Sequence, residues 1–343
     1  MTLPSSPQAR KKSAQNKQPA LRALAIVLVA VSGISSPARA DWFADARPKM
    51  GTEVSVYLWH DDPLRGEEAL DAVFDEMDRI NALMSTYVEE SRISEVNRDA
   101  ASGWVDAGQE LYDLVVQSLD ISVLTRGAFD ITYDSVGQHY DFREGKRPDA
   151  ETIDSALPSI DYTLVETEAG VTSIRFAREG VRINLGGIAK GYAVERGVQV
   201  LREHGVRHAR VTAGGDTRLL GDRRSQPWVV GVRDPSDEQK VSIRLPLEDE
   251  AISTSGDYER FFIEDGTRYH HILQPSTGEP ASGVRSATVI GPDAVITDAL
   301  STSVFVMGVD NGLRLIATLP DYEGIVIDSE GQLFYSDGFT SPE

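Results

Sequence analysis

The 343-residue sequence contains no cysteine, which excludes disulfides, thiolate metal sites, a cysteine nucleophile and a lipidated N-terminal cysteine. Basic residues are scarce, with 34 Lys and Arg against 54 Asp and Glu and a formal net charge of −20. The scarcity is uneven. The first 40 residues carry Arg10, Lys11, Lys12, Lys17, Arg22 and Arg39 and no acid, so the remainder has a formal charge of −26. A body that acidic repels polyphosphate, and no nucleic-acid partner is expected. Beyond residue 40 no apolar run is long enough to cross a membrane. What is present is the composition of a globular chain able to bury a core, 41% hydrophobic and 26% charged.

The N-terminus has its own pattern. Basic residues from Arg10 to Arg22 precede an apolar run over 23–34, interrupted by Ser32 and Gly33, and Ala38-Arg39-Ala40 stands before Asp41. This is the order of a secretory signal peptide with an A-x-A cleavage site. The run is short for ~30 Å of hydrocarbon. Residues 1–40 are therefore expected to be a cleaved signal peptide and 41–343 a periplasmic domain; the alternative is an uncleaved membrane anchor.

In the mature chain, alternation predicts a strand over 53–59, and apolar residues at helical spacing predict helices over 66–84 and 109–125. Residues 171–176 and 180–184 read as a hairpin turning near Arg178-Glu179-Gly180, followed by a helix over 188–204 that Gly205 ends. Short strands are expected over 207–212, 228–233, 241–245, 285–290 and 324–327, with one helix over 293–307. Residues 141–157 read as a surface excursion. No repeat or linker divides the chain, and the expected class is α+β: a single domain with mixed β-sheets covered by helices.

Several stretches can carry chemistry. In Asn184-Leu185-Gly186-Gly187-Ile188-Ala189-Lys190-Gly191 a strand ends, two glycines turn the chain and a helix starts, so outward N–H groups and Lys190 suit a phosphate. The stretch is neither a Walker loop nor a G-x-G-x-x-G fingerprint, and a plain strand-turn-helix junction is the equal alternative. Ala213-Gly214-Gly215-Asp216 ends a strand similarly. Ser253 to Tyr258 groups hydroxyls and a carboxylate beside Gly256, a composition typical of a solvated turn. His204 and His208 are four apart, but Gly205 intervenes, which favours a surface pair over a metal pair. His271, at a strand end, suits a general base or a structural hydrogen bond. Asp298 and Thr302 share a helix face and offer hard oxygen ligands of the kind Mg²⁺ takes; the alternatives are a solvated Asp298 and a Thr302 bonded within the helix.

Read together, the ordered series resembles the ApbE family of FAD:protein FMN transferases over roughly residues 48 to 310. It comprises Met50-Gly51-Thr52, Met84-Ser85-Thr86-Tyr87, Gly127-Ala128-Phe129-Asp130, Asn184 to Ala193, Ala213 to Asp216, Pro227-Trp228 with Val232 to Pro235, Thr254 to Tyr258, His271 to Gly278 and Asp298 to Thr302. The resemblance implies Mg²⁺-dependent transfer of the FMN half of FAD to a Ser or Thr hydroxyl of an acceptor flavoprotein, with release of AMP. The acceptor implied is an exported domain of a membrane redox complex or a periplasmic flavoprotein. Carried over residue by residue, Met50, Tyr87, Ala128, Phe129, Asp130, Asn184, Lys190 and Ile272 contact FAD. Asp298, Thr302 and the main-chain oxygen of Gly187 hold the metal, with Ser301 as an alternative hydroxyl, and His271 lies beside the reacting phosphate. Two positions depart from the family pattern, which often has Asp at 184 and at 274, where this chain has Asn184 and Gln274. An FAD pyrophosphatase and a non-enzymatic flavin-binding protein are the competing expectations.

Overall fold

The computed structural model of the protein describes residues 41–339; the expected signal peptide lies outside the described residues. The chain opens with a hairpin of β1 (Asp41–Lys49) and β2 (Thr52–His60), turning at Met50-Gly51, both at positive φ. Val54, Val56 and Leu58 alternate inward as period two requires. The helix α1 (Pro63–Met84) starts earlier than periodicity suggests. The Asp62 carboxylate accepts from Leu64 N at 3.0 Å, and Pro63 fills the first helical position. Its buried stripe of Leu70, Val73, Phe74, Met77, Ile80 and Met84 faces the sheet. Burying a side chain such as Phe74 contributes about 1.5–3 kcal/mol relative to leaving it in water.

A lobe of shorter elements follows: α2 (Arg92–Asp99), β3 (Val105–Asp106), α3 (Gln109–Thr125), α4 (Asp134–Gly137), α5 (Ala150–Ala156), β4 (Val165–Glu168) and β5 (Ser173–Phe176). The surface excursion expected over 141–157 thus contains a helix. The hairpin expected between 171–176 and 180–184 does not form; β5 pairs with β4 and β3. Residues 181–184 run outside any sheet because side chains take their backbone bonds: Asn97 Oδ1 accepts from Ile183 N at 2.8 Å, and Asn97 Nδ2 donates to Ile183 O at 2.9 Å.

The second half supplies α6 (Ala189–Glu203), β6 (Ala209–Ala213), β7 (Asp216–Leu220), β8 (Trp228–Asp234), β9 (Asp237–Leu247), β10 (Ala251–Gly256), β11 (Phe261–Glu264), β12 (Thr267–His270), β13 (Val284–Gly291), α7 (Ala294–Ile316), β14 (Glu323–Asp328) and β15 (Leu333–Tyr335). Within α7, Gly308 leaves helical geometry at φ 80°, where the expected helix stops, and the chain resumes as a helix to Ile316.

The principal sheet runs β1-β2-β6-β7-β10-β13-β14-β15. The single α+β domain with helix-covered sheets is the observed architecture, and every pairing among the described strands is antiparallel, so strand direction alternates throughout instead of mixing. Helices α1, α6 and α7 cover one face over the main core. The β8–β9 hairpin covers part of the other through Trp228, Val232, Leu245 and Leu247. Among the described residues no helix is long and apolar enough to cross a membrane.

Candidate active site

The site grows from the contact between α6 and α7. A Cβ at Gly191 would lie 2.1 Å from Ala294 O and 2.7 Å from Asp298 Cβ, so only glycine lets the helices approach this closely. That approach allows Asp298 Oδ2 to accept from Gly191 N at 2.9 Å, which puts a carboxylate on the first turn of α6, where the helix dipole favours it. One residue earlier, Lys190 reaches back to ion-pair with Asp216 and lies 3.6 Å from Asp298 Oδ1. Asp216 and Asp298 are 1% and 2% exposed.

Two buried carboxylates thus share one ammonium. Burial, then the Asp216 charge, push the Asp298 carboxyl above the usual carboxylate range, with Lys190 pulling the other way. Burial alone would depress Lys190, but Asp216 and Asp298 together hold its pKa above the ordinary lysine value. Asp216 Oδ1 is buried without a hydrogen-bond partner. With both carboxylates ionised the trio carries one net negative charge, which a hard cation would balance. Hard oxygen donors stand close by. Thr302 is one turn along α7, its Oγ1 3.4 Å from the point a Gly187 Cβ would occupy and 3.1 Å from Ser255 Oγ. Ser301 is committed elsewhere, to Ser255 Oγ at 2.8 Å and to Asp298 O at 2.9 Å.

His271 follows β12. Its backbone N donates to Arg260 O at 3.1 Å, and Nδ1 lies 3.3 Å from the same oxygen. With Nδ1–H turned to that carbonyl, Nε2 is the basic nitrogen. Enclosure by protein atoms, then the charges of Arg260, His270 and Lys190, hold the imidazole well below its ordinary pKa, so it is neutral at physiological pH. The neighbouring His270 is buried, with Nε2 bonded to Ala281 O at 2.9 Å and its ring edge-on to Phe305. That environment is structural.

The other expected residues have different surroundings. Phe129 packs against the glycine turn, its Cε2 3.2 Å from the point where a Gly187 Cβ would stand. Asn184 Oδ1 accepts from Gly186 N at 2.8 Å and shapes the glycine turn, while Nδ2 reaches Thr86 Oγ1 at 3.3 Å and Asp134 Oδ1 at 3.2 Å. An Asp at 184 would set two carboxylates face to face, which gives the departure a local reason. Tyr87, beside Thr86, is 88% exposed. Met50 packs on the main core at the β1–β2 turn, Ala128 is half-buried, and Ile272 is buried under α7. Asp130 faces its own loop: Oδ1 accepts from Thr132 N at 2.8 Å and Thr132 Oγ1 at 2.6 Å, and Oδ2 from Tyr162 N at 2.9 Å. Gln274 shapes a turn, its N donating to Glu279 O at 2.7 Å. His204 bonds Val200 O and His208 bonds Asp222, so these two histidines do not act as a pair.

Three participants are absent from the expected set. Asp216 stands in a named motif but carries no expected role. Ser255 lies in a paired strand, β10, although its Ser/Thr/Gly-rich stretch reads as a turn. Arg260, exposed after β10, has no motif at all; its Nη2 lies 3.3 Å from Gly51 O, and its charge acts on both His271 and Lys190. Only the fold brings it to the β1–β2 turn.

Comparison with known proteins identifies the family. The ApbE family matches residues 50–326. The chain is 31% identical to an FAD:protein FMN transferase of Treponema pallidum, covering 89% of both chains. It is 30% identical to one of Vibrio cholerae, covering 78% of this chain and 82% of that one. The crystal structure of the ApbE protein of Thermotoga maritima superposes with a TM-score of 0.81 at 34% identity, covering 87% of this chain and 98% of that one.

Proposed function

Because the chain belongs to the ApbE family, and is thereby an FAD:protein FMN transferase, we propose that it transfers FMN from FAD to a Ser or Thr hydroxyl with Mg²⁺ and releases AMP. The observation that carries the metal is the cluster in which Asp216 and Asp298 share Lys190, with Asp216 Oδ1 unpartnered. Asp298, Thr302 and the main-chain oxygen of Gly187 would hold the ion, whose chemistry is to neutralise the pyrophosphate oxygens.

The chain's own groups do the rest. Lys190 and Arg260 attract the anionic pyrophosphate into an otherwise acidic protein. Tyr87 offers an uncovered aromatic face to the flavin, and Met50, Ala128, Phe129, Asn184 and Ile272 bound the space beside it. Asp130 supports that wall by holding its loop. His271 Nε2 takes the proton as the acceptor hydroxyl oxygen attacks the FMN phosphorus. The new P–O ester bond forms, the phosphoanhydride bond breaks, and AMP leaves with the bridging oxygen. Positioning and electrostatics suffice for such a transfer. The signal-peptide pattern supports a periplasmic enzyme acting on an exported flavoprotein domain, such as one belonging to a membrane redox complex.

The test mixes the purified protein with FAD, Mg²⁺ and a Thr-bearing acceptor domain and weighs the acceptor by intact mass spectrometry. The expected result is a gain of one FMN less water, abolished by EDTA. AMP release with no adduct on any acceptor would replace transfer by FAD hydrolysis.

A further inference from the structure

On the principal sheet, the face away from the helices holds a second polar site. In β6, Ala209, Val211 and Ala213 turn to the helix core, so Arg210 and Thr212 turn the other way. Register sets Ser55 and Thr217 beside Thr212, and Tyr57 beside Arg210. The β8–β9 hairpin seals this face further along but leaves a cavity of about 270 Å³ lined by Ser55, Arg210, Thr212, Thr217, Thr254 and Arg233.

No ion pair or hydrogen bond holds the Arg210 side chain among the described residues, and its Nε is buried and unpartnered. Burial, then the nearby charge of Arg223, depress its pKa. Arg223 is held over the rings of Trp42 and Tyr57, at 5.9 and 5.8 Å. Arg233 is paired to Glu259 at 3.3 Å, and Glu259 also lines the cavity, so Arg210 is the lining cation left without a counter-charge. Hydroxyls are available: Thr212 bonds Thr217 at 2.9 Å and Thr254 bonds Thr288 at 2.9 Å, and in each pair one proton is left to donate. A half-buried guanidinium whose buried Nε has no partner is costly unless something fills that donor. A single unpaired guanidinium beside threonine hydroxyls suits one small oxyanion.

We propose that this cavity binds a small oxyanion of the phosphate class, anchored by Arg210 and the threonine hydroxyls, on the opposite face of the sheet from Lys190 and Asp298. The proposal is independent of the transfer reaction. Calorimetric titration with inorganic phosphate, against chloride at matched ionic strength, tests it on the wild-type protein, Arg210→Met and Lys190→Met. Saturable binding is expected in the wild type and in Lys190→Met, and about 10- to 100-fold weaker binding in Arg210→Met, the loss of one charge-assisted contact. No saturable binding in the wild type, equal affinity in Arg210→Met, or loss confined to Lys190→Met would each overturn it. Should Arg210→Met fail to fold, crystals of the wild type grown with selenate decide the matter. An anomalous peak within hydrogen-bond reach of Arg210 Nε supports the site, and its absence there rejects it.

Discussion

In the proposed mechanism Asp298 and His271 serve different steps, and their variants separate them. Replacing Asp298 with Ala removes one of the two buried carboxylates that share Lys190, and with it a proposed metal ligand. Turnover is expected to fall on the order of 10²-fold or more, with the remaining activity insensitive to Mg²⁺ in an assay of AMP release. His271→Ala should lower the transfer rate by about 10²- to 10⁴-fold while FAD affinity, read by fluorescence titration, changes little; equal losses would make it a binding residue. The environment of His271 also sets a pH dependence. A histidine whose pKa is lowered keeps its basic nitrogen free as the solution is acidified, so the acid limb of kcat/KM should lie below the ~6.5 of an unperturbed imidazole. A limb at or above that value would remove His271 from the role of base.

For the elements, the tightest constraint is the α6–α7 contact. Gly191→Ala would drive a methyl group into Ala294 O, a backbone atom that cannot swing aside. The variant should lose about 1–3 kcal/mol of stability by urea denaturation, and its Mg²⁺-dependent turnover should fall with the displaced Asp298. The amphipathic helices were legible in the sequence because their apolar stripes are long, as in α1, where the boundary shifted only to admit Asp62 and Pro63. Less legible was β10, where Ser253, Ser255 and Gly256 resemble a turn although the two serines face α7 and bond Thr297, Ser301 and Thr302. The false hairpin at 180–184 has the same origin: alternation marks an extended segment but not its partner, and here that partner is the Asn97 side chain. The motif residues Gly187, Lys190, Asp298 and Thr302 are brought together by the fold. Arg260 was invisible because its importance comes from tertiary placement alone.

At the scale of the whole molecule, charge dominates. With −26 on residues 41–343, self-repulsion opposes compactness at low ionic strength. Raising NaCl from about 20 to about 500 mM should therefore raise the melting temperature, because the screening length falls from tens of ångströms to a few; a fall on adding salt would show that attractive surface pairs prevail. Against this acidic background, Arg260 places an exposed positive charge beside the β1–β2 turn, next to the proposed site for an anionic dinucleotide. The charged trio has a further consequence for assembly order. Lys190, Asp216 and Asp298 are separated by up to 108 positions along the chain, and Asp298 meets Lys190 only after α7 has docked on α6. A chain still emerging from a ribosome has no complete trio, so in the proposed mechanism flavin capture must follow folding of nearly the entire polypeptide.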